Sequence, residues 1–215
     1  MEVDHLFIFS ASNGNEADEL RDFGFTEGSS RVHPGQGTCN RKFYFENFFL
    51  EILWVMDELE LQSDLLAPTK LSERAKFRTS HYSPFGLCLL NDASTNALFA
   101  RSLAYQPAYF PPGAIIEVIT NEEQPSLPWT FRLPFKGPRK QPEEPMTHQN
   151  GLQRLTSMAF GVPRLGTNSP YIGYFKDEQN IVFIENERQA LTLTFDNHRR
   201  CESKIFDRLP LTINY

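Results

Sequence analysis

A charge inside a strand that is apolar on both faces needs a partner, because burying it alone costs several kcal/mol. Glu51 is such a charge, set in FFLEILWV. Strand alternation places it with Phe49, Leu53 and Val55, opposite Leu50, Ile52 and Trp54. His5 is a second, in VDHLFIFS, sharing a face with Val3, Phe7 and Phe9. Glu117 in AIIEVIT is a third. Brought into one pocket, His5, Glu51 and Glu117 would supply nitrogen and oxygen ligands to a divalent metal. Alternatively they form an acid/base set with Glu51 as the catalytic group. The plainer alternative is that His5 is a satisfied core residue and each Glu faces solvent or bonds an Arg, which weighs most on Glu117.

A second group of polar residues lies between these strands. The string HPGQG, His33 to Gly37, is a rigid turn whose glycines let backbone approach a neighbour closely. It can frame a pocket mouth with His33 or Gln36 reaching in. Arg41 is a further ligand-binding candidate, although Arg41 and Tyr44 lie on opposite faces of their strand, so at most one of them serves a given cavity. His81, His148 and His198 sit in polar or proline-rich contexts and read as loop residues. No histidine has HxH or HExxH spacing, and no Walker loop, GxSxG elbow or dinucleotide fingerprint is present.

The elements that must position these residues are mostly strands. Val3–Ser10, Arg41–Glu46 and Phe48–Met56 read as strands, with a short helix at about 16–23 capped by Asn15 and ended by Gly24. The segment 57–80 reads as turns and short helix, and Phe85–Leu90 as a buried strand. Residues 105–150 hold nine of the 15 prolines. Strands are still expected there at Ala114–Thr120 and at Phe131–Phe135, the latter at an edge because Pro134 cannot donate to a ladder. Leu155–Val162, Ile181–Glu185 and Ala190–Phe195 are further strands, and Asp207–Tyr215 reads as an edge strand containing Pro210. The fold class is α+β.

Composition narrows the partners. The chain of 215 residues carries 21 basic and 27 acidic side chains, a formal charge of -6. Nucleic-acid binding would call for a basic excess or stripe, so none is expected. The longest apolar stretch, interrupted by Glu51, falls far short of the roughly 20 residues of a membrane span. MEVDHLFIFS has no basic region or cleavage-like site, so no signal peptide is expected, and Cys39, Cys88 and Cys201 suggest no disulfide framework. A cytoplasmic location is the expectation. Phenylalanine occurs 19 times. That excess fits either a thick aromatic core or an apolar cavity for a small ligand.

VDHLFIFS, LRDFGFTEG, HPGQGTCNRKFYFEN and FFLEILWV together resemble the glyoxalase-like proteins of the vicinal oxygen chelate superfamily. SPFGLCL, YQPAYFPPGAIIEV and FDRLPLTINY extend the resemblance over most of the chain. It implies paired βαβββ modules whose curled mixed sheets surround a cavity. It also implies that members with activity hold a divalent metal cofactor chelated by the substrate while others bind a ligand without turnover, with His5 at the first-strand ligand position and Glu51 at the acidic position of the fourth strand. The expected organisation is a first module at 1–60 and a connecting segment packed on the core at 61–136. An exposed linker at 137–150 and a degenerate second module at 151–215 complete it. RLTSMAFGV has no histidine and ALTLTFDN no glutamate where the pattern has ligands. Whether the halves pair within one chain or across a homodimer stays open.

Two functions follow. One is a metal-dependent lyase, isomerase or dioxygenase acting on a small chelating substrate; the other is a non-catalytic small-molecule binding or resistance-type protein with an apolar pocket. A purely structural module would leave the ionisable residues on apolar strands unexplained.

Overall fold

The strand that opens the chain ends at the centre of its sheet. The computed structural model describes residues 1–136, 143–166 and 169–215. Its first five elements are β1 (Val3–Phe9), α1 (Ala17–Asp22), β2 (Arg31–His33), β3 (Thr38–Tyr44) and β4 (Phe49–Val55). This is the βαβββ order the sequence predicts for that stretch. β1 pairs parallel with β4, which pairs antiparallel with β3, which pairs antiparallel with β2. Gly24, at φ +104°, ends the helix as expected. The helix cap is Glu16 rather than Asn15, and the buried Glu16 carboxylate accepts from Ala11 N at 2.9 Å and from the Ser10 hydroxyl.

The partner module is not at 151–215. After the short helices α2 (Glu58–Leu61) and α3 (Leu71–Ala75), the same sheet continues through four strands. These are β5 (Phe85–Asn91), β6 (Leu103–Tyr105), β7 (Ile116–Ile119) and β8 (Trp129–Lys136). The sheet order β2-β3-β4-β1-β5-β8-β7-β6 repeats one pattern on either side of the β1–β5 pair. β5 pairs parallel with β8 just as β1 does with β4. A turn of 3-10 helix at Ala93–Thr95 follows β5 in place of the module's α-helix. Both halves therefore lie within one chain. β6 and β7 are three and four residues long among prolines, too short for alternation to reveal a module.

β8 is also interior, flanked by β5 and β7, not an edge. Its β7 pairing ends at Arg132 and its β5 register slips between Leu89 and Asn91, so Pro134 falls where no donor is needed.

A five-stranded sheet covers the other face. It comprises β9 (Leu155–Val162), β10 (Ile181–Glu185), β11 (Ala190–Phe195), β12 (Ser203–Ile205) and β13 (Leu211–Asn214), with α4 (Pro170–Gly173) between β9 and β10. The order is β10-β9-β11-β13-β12. β13 is thus interior as well, and Pro210 precedes it, offering its carbonyl to Leu191 N at 2.8 Å.

The two faces of β1 have different neighbours. Leu6 and Ile8 pack with Leu50, Ile52 and the second sheet's Phe160 and Leu193. Phe7 and Phe9 pack with Leu53, Trp129 and Phe131 on the other face. Val3 belongs to the first group, although simple alternation joins it to His5. A bulge between Val3 and His5 reverses the phase.

Of the segment 137–150, residues 137–142 lie outside the described residues. The rest is tied down: the Glu144 carboxylate accepts from Ser29 N at 3.0 Å. His148 lies in a loop as expected but is buried, accepting from Thr26 N at 3.0 Å and donating to Tyr44 O at 2.9 Å. Among the described residues no helix is long and apolar enough to cross a membrane.

Candidate functional site

The curl of the eight-stranded sheet encloses a cavity of about 260 Å³, just below the roughly 300–1,000 Å³ typical of small-ligand pockets. Its walls differ in chemistry. The wall from β2, β3 and β4 is polar: Arg31, His33, Asn40, Lys42 and Glu51 face inward. The wall from β7 and β8 is apolar: Ile116, Trp129, Phe131 and Leu133. β1 lies between them with His5 and Phe7. Gly86 of β5 makes room there, since a Cβ at that position would meet the Phe7 ring at 2.0 Å.

Glu51 and His5 each have a defined partner. Glu51 accepts from Asn40 Nδ2 at 3.0 Å, and burial pushes its carboxyl above the usual carboxylate range against the pull of His5 and Lys42. His5 Nδ1 donates to Asp4 Oδ1 at 2.5 Å, and its ring stacks on Phe49 with centroids 4.4 Å apart. Phe131 meets the same imidazole edge-on at 5.2 Å.

A chain of hydrogen bonds crosses the mouth. Tyr109 OH donates to Gln36 Oε1 at 3.0 Å, and Gln36 Nε2 donates to Thr38 Oγ1 at 2.8 Å. Thr38 Oγ1 lies 2.9 Å from His33 Nδ1. Burial lowers the His33 pKa to about 4, with Arg31 and Lys42 adding to the effect, so the ring is neutral at pH 7.

The glyoxalase-like domain family matches residues 3–98. That span holds the first module, β5 and the turn after it. Residues 3–98 form a glyoxalase-like domain. The family match and the paired modules agree with the vicinal oxygen chelate superfamily. A crystal structure of a hypothetical protein from Staphylococcus aureus aligns with a TM-score of 0.60 at 11% identity, over 99% of this chain and 98% of that one. It shares the fold. A hypothetical protein, BH1468, from Bacillus halodurans C-125 aligns over 66% of this chain and 97% of its own, at 12% identity and a TM-score of 0.38. No curated protein matches the sequence.

In this glyoxalase-like domain the structure gathers His5, His33, Gln36 and Glu51 around the cavity. Two predicted residues lie elsewhere. Arg41 is on the opposite face of β3, where its guanidinium holds Glu27 at 2.6 Å and Asp18 at 3.0 Å. Glu117 alternates with the inward Ile116 and Val118, and its carboxylate binds Arg132 Nε at 2.6 Å. Arg31, Asn40, Lys42, Tyr109, Trp129 and Phe131 are among the other residues that line it. The strand phase set by Tyr44 would have flagged Asn40 and Lys42, because residues two apart share a face.

The cavity residues do not complete the ligand set His5, Glu51 and Glu117, because the β7–β8 wall presents carbon where that set needs a carboxylate. A different set stands beside β1. Potential donor atoms of Asp4, His5 and Cys88 all lie within 4.8 Å of one another, and carboxylate, imidazole and thiolate suit a borderline ion such as zinc.

Proposed function

We propose that this protein binds a small amphipathic molecule in the sheet cavity and needs no metal to do so. The observation that carries this reading is the division of one cavity into an aromatic wall from β8 and a hydrogen-bonding wall from β2–β4. Such a site takes up a planar apolar body on one side and orients polar atoms on the other. Glu51, its carboxyl pushed above the usual range by burial, is anchored by Asn40 and faces the polar atoms of the bound molecule. His5 is fixed between Asp4 and Phe49 and presents its ring to the bound molecule.

The test combines ligand-induced stabilisation with elemental analysis of protein purified without chelators. Small planar aromatics are expected to raise Tm, Phe131→Ala to abolish that shift, and metal to be substoichiometric. One mole of divalent metal per chain, lost in His5→Ala, would overturn the metal-free reading.

That outcome belongs to a second reading, favoured by the Asp4, His5 and Cys88 cluster. These three residues would hold the ion, which supplies Lewis acidity to ligand oxygen. In this reading the domain would be a metal-dependent lyase, isomerase or dioxygenase, with Asp4, His5 and Cys88 as the residues that would hold the ion.

A further inference from the structure

Two cations, Arg31 and Lys42, line the cavity. Arg31 pairs across β2–β3 with Asn40, and Lys42 lies two residues further along β3 on the same face. They are diagonal neighbours, close enough to act on one group. Among the described residues neither side chain forms an ion pair. Each rests on an aromatic ring instead: the Arg31 guanidinium lies 5.2 Å from the Tyr109 centroid, and Lys42 Nζ lies 5.4 Å from that of Tyr44.

The carboxyl nearest in register, Glu51, feels both cations but forms no ion pair with either. Glu51 stands directly across the strand pair from Lys42, yet it is bonded by Asn40 and held toward its neutral form by burial. His33 is neutral beside them. The polar wall thus presents two cationic donors at its rim, and a bound anion would make charge-assisted hydrogen bonds there.

The opposite wall fixes the rest of the ligand. Phe131 and Trp129 pack with centroids 4.7 Å apart, and Phe131 turns its edge to the His5 ring. The curl of the sheet brings the two walls together, because Tyr109 from the second half lies over Arg31 from the first. A cavity of about 260 Å³ has room for one or two rings.

Resting on the small-molecule reading above, we propose that the ligand is a planar aromatic carboxylate. Its anionic group is held between Arg31 and Lys42, and its ring lies against Phe131 and Trp129. The sites differ in what they recognise: the rim reads charge, the far wall reads a flat apolar surface.

The experiment is calorimetric titration of the full chain with trans-cinnamate and with its neutral isostere trans-cinnamamide. Cinnamate is expected to bind about tenfold tighter or more, as one charge-assisted contact provides. Its affinity should fall as salt is raised while that of the amide does not. Arg31→Gln and Lys42→Gln should each reduce cinnamate toward the affinity of the amide. Phe131→Ala should weaken both compounds together. Equal affinity for acid and amide in the wild type, with both lost in Phe131→Ala, would overturn the anion site and leave the pocket reading standing. Binding of neither compound would overturn both.

Discussion

Tyr109 donates a hydrogen bond to Gln36 across 73 residues of sequence and from one half of the sheet to the other. The bond ties the proline-bounded stretch around Tyr109 to the HPGQG turn and roofs the cavity. Tyr105 reaches the same oxygen at 3.4 Å. Tyr109→Phe is expected to lose about 1 kcal/mol of stability, the net worth of one such bond. Hydrogen exchange is the sharper measure: amides of Phe110 and Gly113, which bond within this stretch, should exchange faster in the variant. Unchanged exchange there would show that the roof is held by packing alone.

His33 makes stability depend on pH with a definite sign. Its pKa is about 4 in the folded chain against 6.5 for an unperturbed ring. Above 6.5 both states are neutral and the full stability is present. As pH falls from 6.5 toward 4 the unfolded chain takes up a proton that the folded chain refuses, so stability drops. Below 4 the loss levels off. The shift corresponds to roughly 3 kcal/mol at most. Urea denaturation at pH 7 and pH 4.5 should show a smaller difference for His33→Gln than for the wild type. His148, also lowered by burial, adds a component of the same sign that this variant retains.

Gly86 is expected to tolerate no side chain. A Cβ there would lie 2.0 to 2.4 Å from three atoms of the Phe7 ring, and Phe7 is itself held between Phe9, Trp129 and Phe131. Gly86→Ala must therefore displace the ring, at about 2 kcal/mol, and distort the cavity floor. A melting temperature equal to that of the wild type would show that Phe7 has another rotamer available.

These sites were legible in the sequence to different depths. His5 and Glu51 stood out because a charge on an apolar strand demands a reason, and both do line the cavity. β1 and β4 were readable because each runs for seven residues, mostly apolar, without a breaker. Glu117 sits in the same kind of strand but points the other way, and strand type does not fix phase. Arg41 failed for the same reason, one position away from Lys42. The bulge at Asp4 moved Val3 to the other face, and local sequence gives no sign of it. Tyr109 lay in QPAYFPPG, where prolines mark irregular backbone and hide that the loop spans a pocket. The second module escaped because its middle strands are too short to show a period, whereas the longer C-terminal strands imitate one.

The last expectation concerns Arg74, which is fully buried without a carboxylate partner among the described residues. Its guanidinium donates to three carbonyls: Ser83 O at 3.2 Å, Leu127 O at 2.9 Å and Thr120 O at 2.7 Å. These belong to the approaches to β5 and β8 and to the end of β7, so one side chain from α3 joins three segments of the second module. Burial lowers its pKa to about 9, which leaves it charged at pH 7, and the Tyr82 ring at 5.4 Å gives further stabilisation. Arg74→Met fills much of the same volume but leaves three carbonyls without a donor. Each unsatisfied buried group costs about 1–3 kcal/mol, and because neighbouring losses are not additive the sum should be roughly 3 kcal/mol. Arg74→Lys keeps the charge but brings one nitrogen where two separate donors are used, so it should recover only part of the loss. Urea denaturation of the three proteins tests the order wild type, Lys, Met. A methionine variant as stable as the wild type would mean that these carbonyls find water once the guanidinium is gone, and that the second module is held by its sheet alone.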